Sequence, residues 1–477
     1  MTKSLTSVLE ALIDLLGEEH VNQDPALLTS KSQDTWPLRL IQKTLGNENE
    51  LPLCVVTPTS TEDVSTLLTF LHQHDIAAVP YGGGSGVTGG AESNADTVVI
   101  DVGKMDSMIQ VDEANLTVTI QSGVGLFDLE NYLKNLGYTT GHYPQSIHLA
   151  QIGGLVANRS SGQFSTKYGN MEDLLIGLEA VLPTGEIVRI KNIPRSSTGP
   201  DLRHLFLGSE GTLGVITEVT VKIFPKPAER WMCAYGINSM REGLDIIKQI
   251  TRTGWNPAVI RLHDELEATK SYAEFVKEDE SILLILSEGP EGYANLEGTA
   301  VEDIIQSAGG RSLGAAPVEK WLKHRNEVSE LDTYTSQGIL VDTIDIAANW
   351  KDIANIYDEV TERLKKEVPE LLLIAGHSSH SYQQGTNIYF ILGAYPPQDP
   401  KEAERLYWKI WSKVMETTLK HHGTICHHHG VGKLRAQWMP ENLGSSYLLL
   451  EKLKESLDPK GIMNRGTLLP TDKDNVR

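Results

Sequence analysis

The chain has 477 residues, with 42 Lys+Arg against 63 Asp+Glu and a net charge of −21. A field of that sign repels phosphate backbones and anionic lipid surfaces, so neither nucleic acid nor a charged membrane is expected as a partner, although a locally basic pocket for a small anion stays open. The length predicts two packed units rather than a single core, and three widely spaced cysteines, Cys54, Cys233 and Cys426, argue against a disulfide scaffold or structural zinc and for a reducing cytoplasm.

In chain order, Leu5, Val8, Leu9, Leu12, Ile13 and Leu16 have helical spacing, interrupted by Glu10 and Asp14, so residues 1–50 read as an N-terminal helical segment and not as a signal peptide. No run of about 18 apolar residues occurs, and no transmembrane helix is expected. Residues 51–227 alternate short strands with single helices, the rhythm of an α+β unit. Within it, Ser60 and Asp63 have capping-box spacing ahead of the stripe Val64, Leu67, Leu68 and Leu71. A helix is expected at about 126–136, and two strands in "LLIGLEAVLPTGEIVRI" joined at Pro183-Thr184-Gly185.

Pro225-Lys226-Pro227 marks a boundary. Residues 228–420 alternate helices and strands again, including "SILLILSEG", "GILVDTIDI" and "NIYFILGAY", and form a second domain of α/β character. Residues 421–477 make a C-terminal segment whose helix is stopped by Pro459.

"GSGVTG", Gly84 to Gly89, matches G-x-G-x-x-G after a predicted strand. A Rossmann site fails on context: a polar loop and another strand follow Gly90, where that fingerprint needs a helix N-terminus on the pyrophosphate. Glycines with Ser85 still let backbone N–H groups converge on an anion without Cβ obstruction. A tight strand connection is the alternative.

Four ordered motifs, "VPYGGGSGVTGG", "GHYPQSIHLAQIGGLVANRSSGQFSTKYGNMEDLLIGLEAVLPTGEIV", "DLRHLFLGSEGTLGVITEVTVKIFP" and "LDPKGIMNRGTLLP", resemble the vanillyl-alcohol-oxidase-type flavoproteins, specifically their type 4 FAD-binding oxidoreductase/transferase group. The resemblance implies an α+β, two-subdomain FAD-binding domain with a cap domain that sets substrate against the flavin. It implies that Gly82, Gly83, Gly84, Ser85, Gly86 and Val87 hold the FAD pyrophosphate. Pro144, Gly153, Gly154, Ser160, Ser161 and Gly162 would line the flavin and ribityl chain. Glu210, Gly211 and Ile216 would approach the adenine end, and Asn464 would return to the flavin side. "YGGGSG" offers neither histidine nor cysteine, so non-covalent FAD is expected.

"TICHHHGVGKLRAQW", Thr424 to Trp438, places three imidazoles in a row. In an extended segment consecutive side chains face opposite sides, so His427, His428 and His429 are not expected to bind one metal together. A pair from His427 and His429 with His377 or His380 is the metal alternative, a titrating surface loop is another, and a base over a redox centre is the third. By resemblance to the alkyldihydroxyacetonephosphate synthases, His428 would be the proton acceptor, flanked by His427 and His429, and Tyr389 the active-site tyrosine. Many 2-hydroxyacid dehydrogenases have a metal-binding histidine at that tyrosine's position, so no bound metal is expected. Arg325 would hold the substrate's acid group, with Arg261, Lys433 and Arg435 as further cations.

The expected function is an FAD-dependent oxidoreductase using flavin N5 as acceptor from a small hydroxylated anionic substrate. An alkylglycerone-phosphate synthase-like transferase, exchanging acyl for alkyl through a flavin adduct, is the alternative, and a non-catalytic FAD- or metal-binding protein the third. A homodimer stays open, and the sequence names no electron acceptor.

Overall fold

The computed structural model describes residues 5–44, 46, 50–327, 334, 335 and 337–470. The first sheet pairs Val21–Asn22 antiparallel with Cys54–Val56, which runs parallel to Thr97–Asp101, itself parallel to Ala77–Tyr81. Its strands are almost continuously buried because helices cover it. Thr61–His74 is one of them. Its N-terminus carries the expected capping box, with Ser60 Oγ accepting from the Asp63 N–H and the Asp63 carboxylate accepting from the Ser60 N–H. Val64, Leu67, Leu68 and Leu71 face inward and merge with Val56, Val98 and Ile100.

A second, five-stranded antiparallel sheet runs in the order Met108–Asp112, Thr117–Gln121, Val215–Lys222, Leu175–Val181, Ile187–Ile190. The helix Leu126–Asn135 buries Leu126, Leu129 and Leu133 in the core that this sheet covers.

The third sheet has seven strands, antiparallel throughout, in the order Arg311–Gly314, Glu229–Ile237, Ser281–Gly289, Val259–His263, Leu371–Ser378, Gly385–Ala394, Leu340–Asn349. The helices Met240–Arg252, Tyr293–Ser307, Ile353–Glu367 and Pro400–Lys420 bury apolar stripes in its core. Beyond Pro400–Lys420 the chain leaves this layer. Met463 then bridges Ala78 of the first sheet, and the Asn464 N–H donates to the Ala78 carbonyl, so the tail closes on the glycine-loop strand.

Candidate active site

One face of the seven-stranded sheet carries a row of directly opposed polar residues: His263 faces His377, His377 faces Tyr389, and Tyr389 faces Asp345. Opposed residues in a pleated sheet project to the same side, so four neighbouring strands deliver two imidazoles, a phenol and a carboxylate together. The Tyr389 ring stacks on His377 at 4.7 Å and 13°, and on His428 at 6.0 Å and 18°. Burial pushes the Tyr389 hydroxyl up to about 12.

His428 comes from the loop after Pro400–Lys420, and that loop is not the extended segment expected. Its backbone bends around Asp345, whose Oδ2 accepts the N–H groups of His427 at 2.8 Å, His428 at 2.6 Å and His429 at 3.2 Å. Three successive N–H groups converging on one oxygen make a nest, which draws the imidazoles together. His428 and His429 lie 4.4 Å apart between centroids, and His427 and His428 share a hydrogen bond between their Nδ1 atoms at 2.9 Å. The opposite-face expectation therefore fails, because it assumed strand geometry in a segment without a strand partner there.

Asp345 is fully buried and paired with the equally buried Arg435, whose guanidinium also donates to the Ile425 carbonyl at 3.0 Å. Against burial, the adjacent Arg435 guanidinium holds the carboxyl well below its usual range. Arg435 is thus structural rather than a free substrate cation. Lys433 likewise donates to the Glu92 carbonyl at 3.2 Å. Burial drives His428 well below its ordinary value and His427 down to about 4, so both rings are neutral at physiological pH. His427 Nε2 meets the Tyr382 hydroxyl at 2.8 Å, and that hydroxyl is shared with the Asn170 amide. His380 stacks over His427 at 4.8 Å and takes a Ser165 Oγ contact at Nδ1 of 2.8 Å.

The glycine loop follows the strand Ala77–Tyr81. Asp34 fixes its far end, accepting N–H bonds from Gly89 at 3.2 Å and Gly90 at 3.0 Å. Between these anchors the N–H groups of Gly82, Gly83, Gly84, Ser85, Gly86 and Val87 find no protein acceptor among the described residues. Buried Ser122 Oγ, Gln151 Oε1 and Asn464 Oδ1 also lack partners, and a Cβ on Gly154 would point into open space. That inventory of unused N–H and hydroxyl donors, amide-oxygen acceptors and small surfaces fits the diphosphate and ring edges of FAD.

The other predicted cofactor residues are placed as follows. Gly153 packs against Ser122 and Gly162 against the Tyr143 backbone, each too close for a side chain. Ser160 Oγ bonds His142 Nε2 at 2.8 Å, the Pro144 carbonyl accepts from Ile147, and Ser161 lies beside the Tyr382 hydroxyl. Ile216 lies in the core of the five-stranded sheet, and Gly211 abuts Pro80. Asn464 Nδ2 donates to the carbonyls of Gly90 at 2.7 Å and Glu210 at 2.6 Å. The Glu210 carboxylate accepts from the N–H groups of Val431 at 2.7 Å and Gly432 at 2.8 Å, and burial lifts it to about 7. Asn158 Nδ2 donates to the His428 carbonyl at 3.0 Å. The histidine loop is therefore buttoned onto the glycine-loop side by Glu210 and Asn158.

Arg325 ends the helix Ala316–His324. It donates to Gln163 Oε1 at 2.8 Å, with its guanidinium 5.1 Å from the Tyr143 and Phe164 rings and 5.8 Å from Trp321. Asp345, Tyr382 and Asn158 were absent from the residues singled out in the sequence. Their partners in the histidine run lie 83, 45 and 270 positions away in the chain, respectively.

A cradle of N–H groups without protein acceptors, in one chain with a sheet face of aromatic and imidazole side chains, fits as a class a cofactor-dependent enzyme of the vanillyl-alcohol-oxidase-type fold. The chain belongs to the FAD-linked oxidases: the FAD binding domain family matches residues 52–191, and the C-terminal domain family of FAD linked oxidases matches residues 226–468. It is 38% identical to the FAD-linked oxidoreductase YgcU of Escherichia coli (strain K12), over 99% of this chain and 100% of that one. It is 28% identical to alkyldihydroxyacetonephosphate synthase of Dictyostelium discoideum, over 91% of this chain and 76% of the other, and 27% identical to glycolate oxidase subunit GlcD of Bacillus subtilis (strain 168), over 98% and 97%. Among solved structures, an alkyldihydroxyacetonephosphate synthase shares the fold at a TM-score of 0.82 and 24% identity, covering 97% of this chain and 86% of its own. p-Cresol methylhydroxylase shares it at 0.76 and 16%, covering 98% and 97%. FAD is the cofactor of this family, and no helix among the described residues is long and apolar enough to cross a membrane.

Proposed function

We propose that the protein is an FAD-dependent oxidoreductase acting on a small hydroxylated anion of the 2-hydroxyacid kind. The observation that carries this reading is Tyr389 stacked against a neutral His428 beside the glycine-loop side of the molecule. FAD, when bound, supplies the acceptor for the electron pair leaving the substrate carbon. The tautomer with the proton of the shared Nδ1–Nδ1 contact on His428 leaves the His428 Nε2 lone pair to take the substrate hydroxyl proton. Tyr389 orients that hydroxyl, and the Arg325 guanidinium receives the acid group. Gly82, Gly83, Gly84, Ser85, Gly86 and Val87 present their N–H groups to the FAD pyrophosphate, without a covalent tether. Residues 51–227 hold the cofactor and 228–420 the substrate. Three free cysteines support a cytoplasmic setting.

The synthase relatives support a second reading, acyl-for-alkyl exchange on a ketone phosphate without net oxidation, using the same residues. An anaerobic screen of 2-hydroxyacids and ketone phosphates, recording flavin absorbance and released acid, separates the two. Bleaching of the flavin by a hydroxyacid supports the oxidoreductase. Release of carboxylate with the flavin still oxidised replaces it with the transferase, and neither response to any compound abandons both.

A further inference from the structure

Arg261 lies on the sheet face that carries His263, His377 and Tyr389, two residues before His263 on the same strand. Its Nε donates to His263 Nε2 at 3.0 Å and its NH2 group to His377 Nε2 at 2.9 Å. The opposite nitrogens of the two rings converge on one carboxylate: His263 Nδ1 lies 2.7 Å from Glu267 Oε1, and His377 Nδ1 lies 3.0 Å from Glu267 Oε2. Both imidazoles and Glu267 are nearly inaccessible, with side-chain exposures of 4%, 7% and 12%.

The two Arg261 contacts fix the proton inventory of this cluster. Arg261 can only donate, so each Nε2 must be a lone pair. Each Nδ1 then carries the single proton of a neutral imidazole: His377 Nδ1 donates it to Glu267 Oε2 at 3.0 Å, and His263 Nδ1 lies 2.7 Å from Oε1 without hydrogen-bond geometry, with Glu267 ionised. The three groups could gather round a metal ion, but a metal on the Nδ1 side would force Nε2–H against the guanidinium N–H groups, so Arg261 disfavours that use. What the cluster builds instead is a guanidinium oriented by two neutral acceptors. Among the described residues it forms no ion pair with a carboxylate. Two of its five N–H donors are engaged, and the rest are available. It also lies 5.9 Å from the Trp321 ring, which Arg325 approaches at 5.8 Å, so two guanidinium groups flank one indole. One imidazole, His377, separates it from the Tyr389 ring.

Resting on the oxidoreductase reading above, we infer that Arg261 is a second anion-holding group of the site, so that the substrate carries two acidic groups or one phosphate. Glu267, His263 and His377 are its positioning residues. A lysine in its place would keep the charge but lose the fork that lets both imidazoles set its direction.

The test titrates the FAD-loaded protein with inorganic phosphate in one arm and oxalate in the other, following perturbation of the flavin spectrum and the rise in melting temperature. Neither arm needs the substrate to be known. Arg261→Gln is expected to raise the dissociation constant of the favoured anion by roughly 10- to 100-fold, the scale of one or two charge-assisted hydrogen bonds, with FAD content unchanged. Arg261→Lys should restore part of that loss. Glu267→Gln should weaken binding without making it pH-dependent near neutrality, because the imidazoles lose the carboxylate that orients them while the loss of its charge pushes their protonation lower still. Phosphate binding alone points to a phosphorylated substrate, and oxalate binding alone to two carboxylates. Equal affinity in Arg261→Gln and wild type overturns the inference, as does wild-type protein that binds neither anion at 10-fold the concentration of a competing chloride. If no hydroxyacid bleaches the flavin, the oxidoreductase reading fails while these titrations still decide Arg261.

Discussion

Asp345 and His428 meet through the backbone: the carboxylate Oδ2 accepts the His428 N–H at 2.6 Å, and the same oxygen takes the N–H groups on either side. Asp345 thereby shapes the loop, while its other oxygen answers the buried Arg435. Removing the carboxylate should strand that guanidinium. Asp345→Asn is expected to lose about 3–5 kcal/mol in urea unfolding, the cost of breaking a buried pair on one side. Pairing it with Arg435→Met should recover much of the stability but little turnover, since the histidine N–H groups would still lack a carboxylate.

His428→Ala should keep FAD and fold yet lower turnover by roughly 10²- to 10⁴-fold, the usual contribution of a positioned acid–base group. His427→Ala and His429→Ala should cost less, because neither ring stacks on Tyr389 in parallel as His428 does. Steady-state kinetics on the identified substrate decide this, and wild-type turnover in His428→Ala would remove the base assignment.

The acid limb of the pH–rate profile should lie well below the ordinary imidazole value of 6.5. A general base must be neutral, and burial lowers the His428 imidazole well below its ordinary value. A limb at 6.5 in kcat/KM would mean that the base is a solvated imidazole elsewhere.

His142 gives a stability test of the same physics. Burial brings this ring down to about 4 in the folded protein, with Nε2 bonded to Ser160 Oγ at 2.8 Å. The unfolded ring takes its proton near 6.5, so the contribution of the neutral ring is fully present above 6.5 and is lost as pH falls toward 4. Urea midpoints of His142→Asn and wild type should therefore differ most at pH 7.5 and converge toward pH 4.5.

Gly84→Val should yield protein depleted of FAD, read from the ratio of flavin to protein absorbance. Gly84 has φ +65°, and a Cβ there would come within 2.1 Å of the Tyr81 hydroxyl. The obstruction is thus on the protein side of the loop: the side chain would push the cradle off Tyr81 and turn its N–H groups away from their target.

Local rules wrote much of this molecule into the sequence. The Ser60–Asp63 capping box, the helical stripe behind it and the turn at Pro183–Gly185 each depend on residues within a few positions, and each forms. The glycine loop was legible for the same reason, since missing side chains are visible in a string of letters. Tertiary structure alone decided the shape of the histidine run. Asp345 lies 83 positions from His428 and reaches it because two strands register Asp345 opposite Tyr389. A buried carboxylate then bends the loop more strongly than any local preference of three histidines could. The Glu267 cage around Arg261 has the same origin: Arg261, His263 and His377 become neighbours only when an antiparallel sheet sets their strands side by side, and no spacing along the chain announces that pairing.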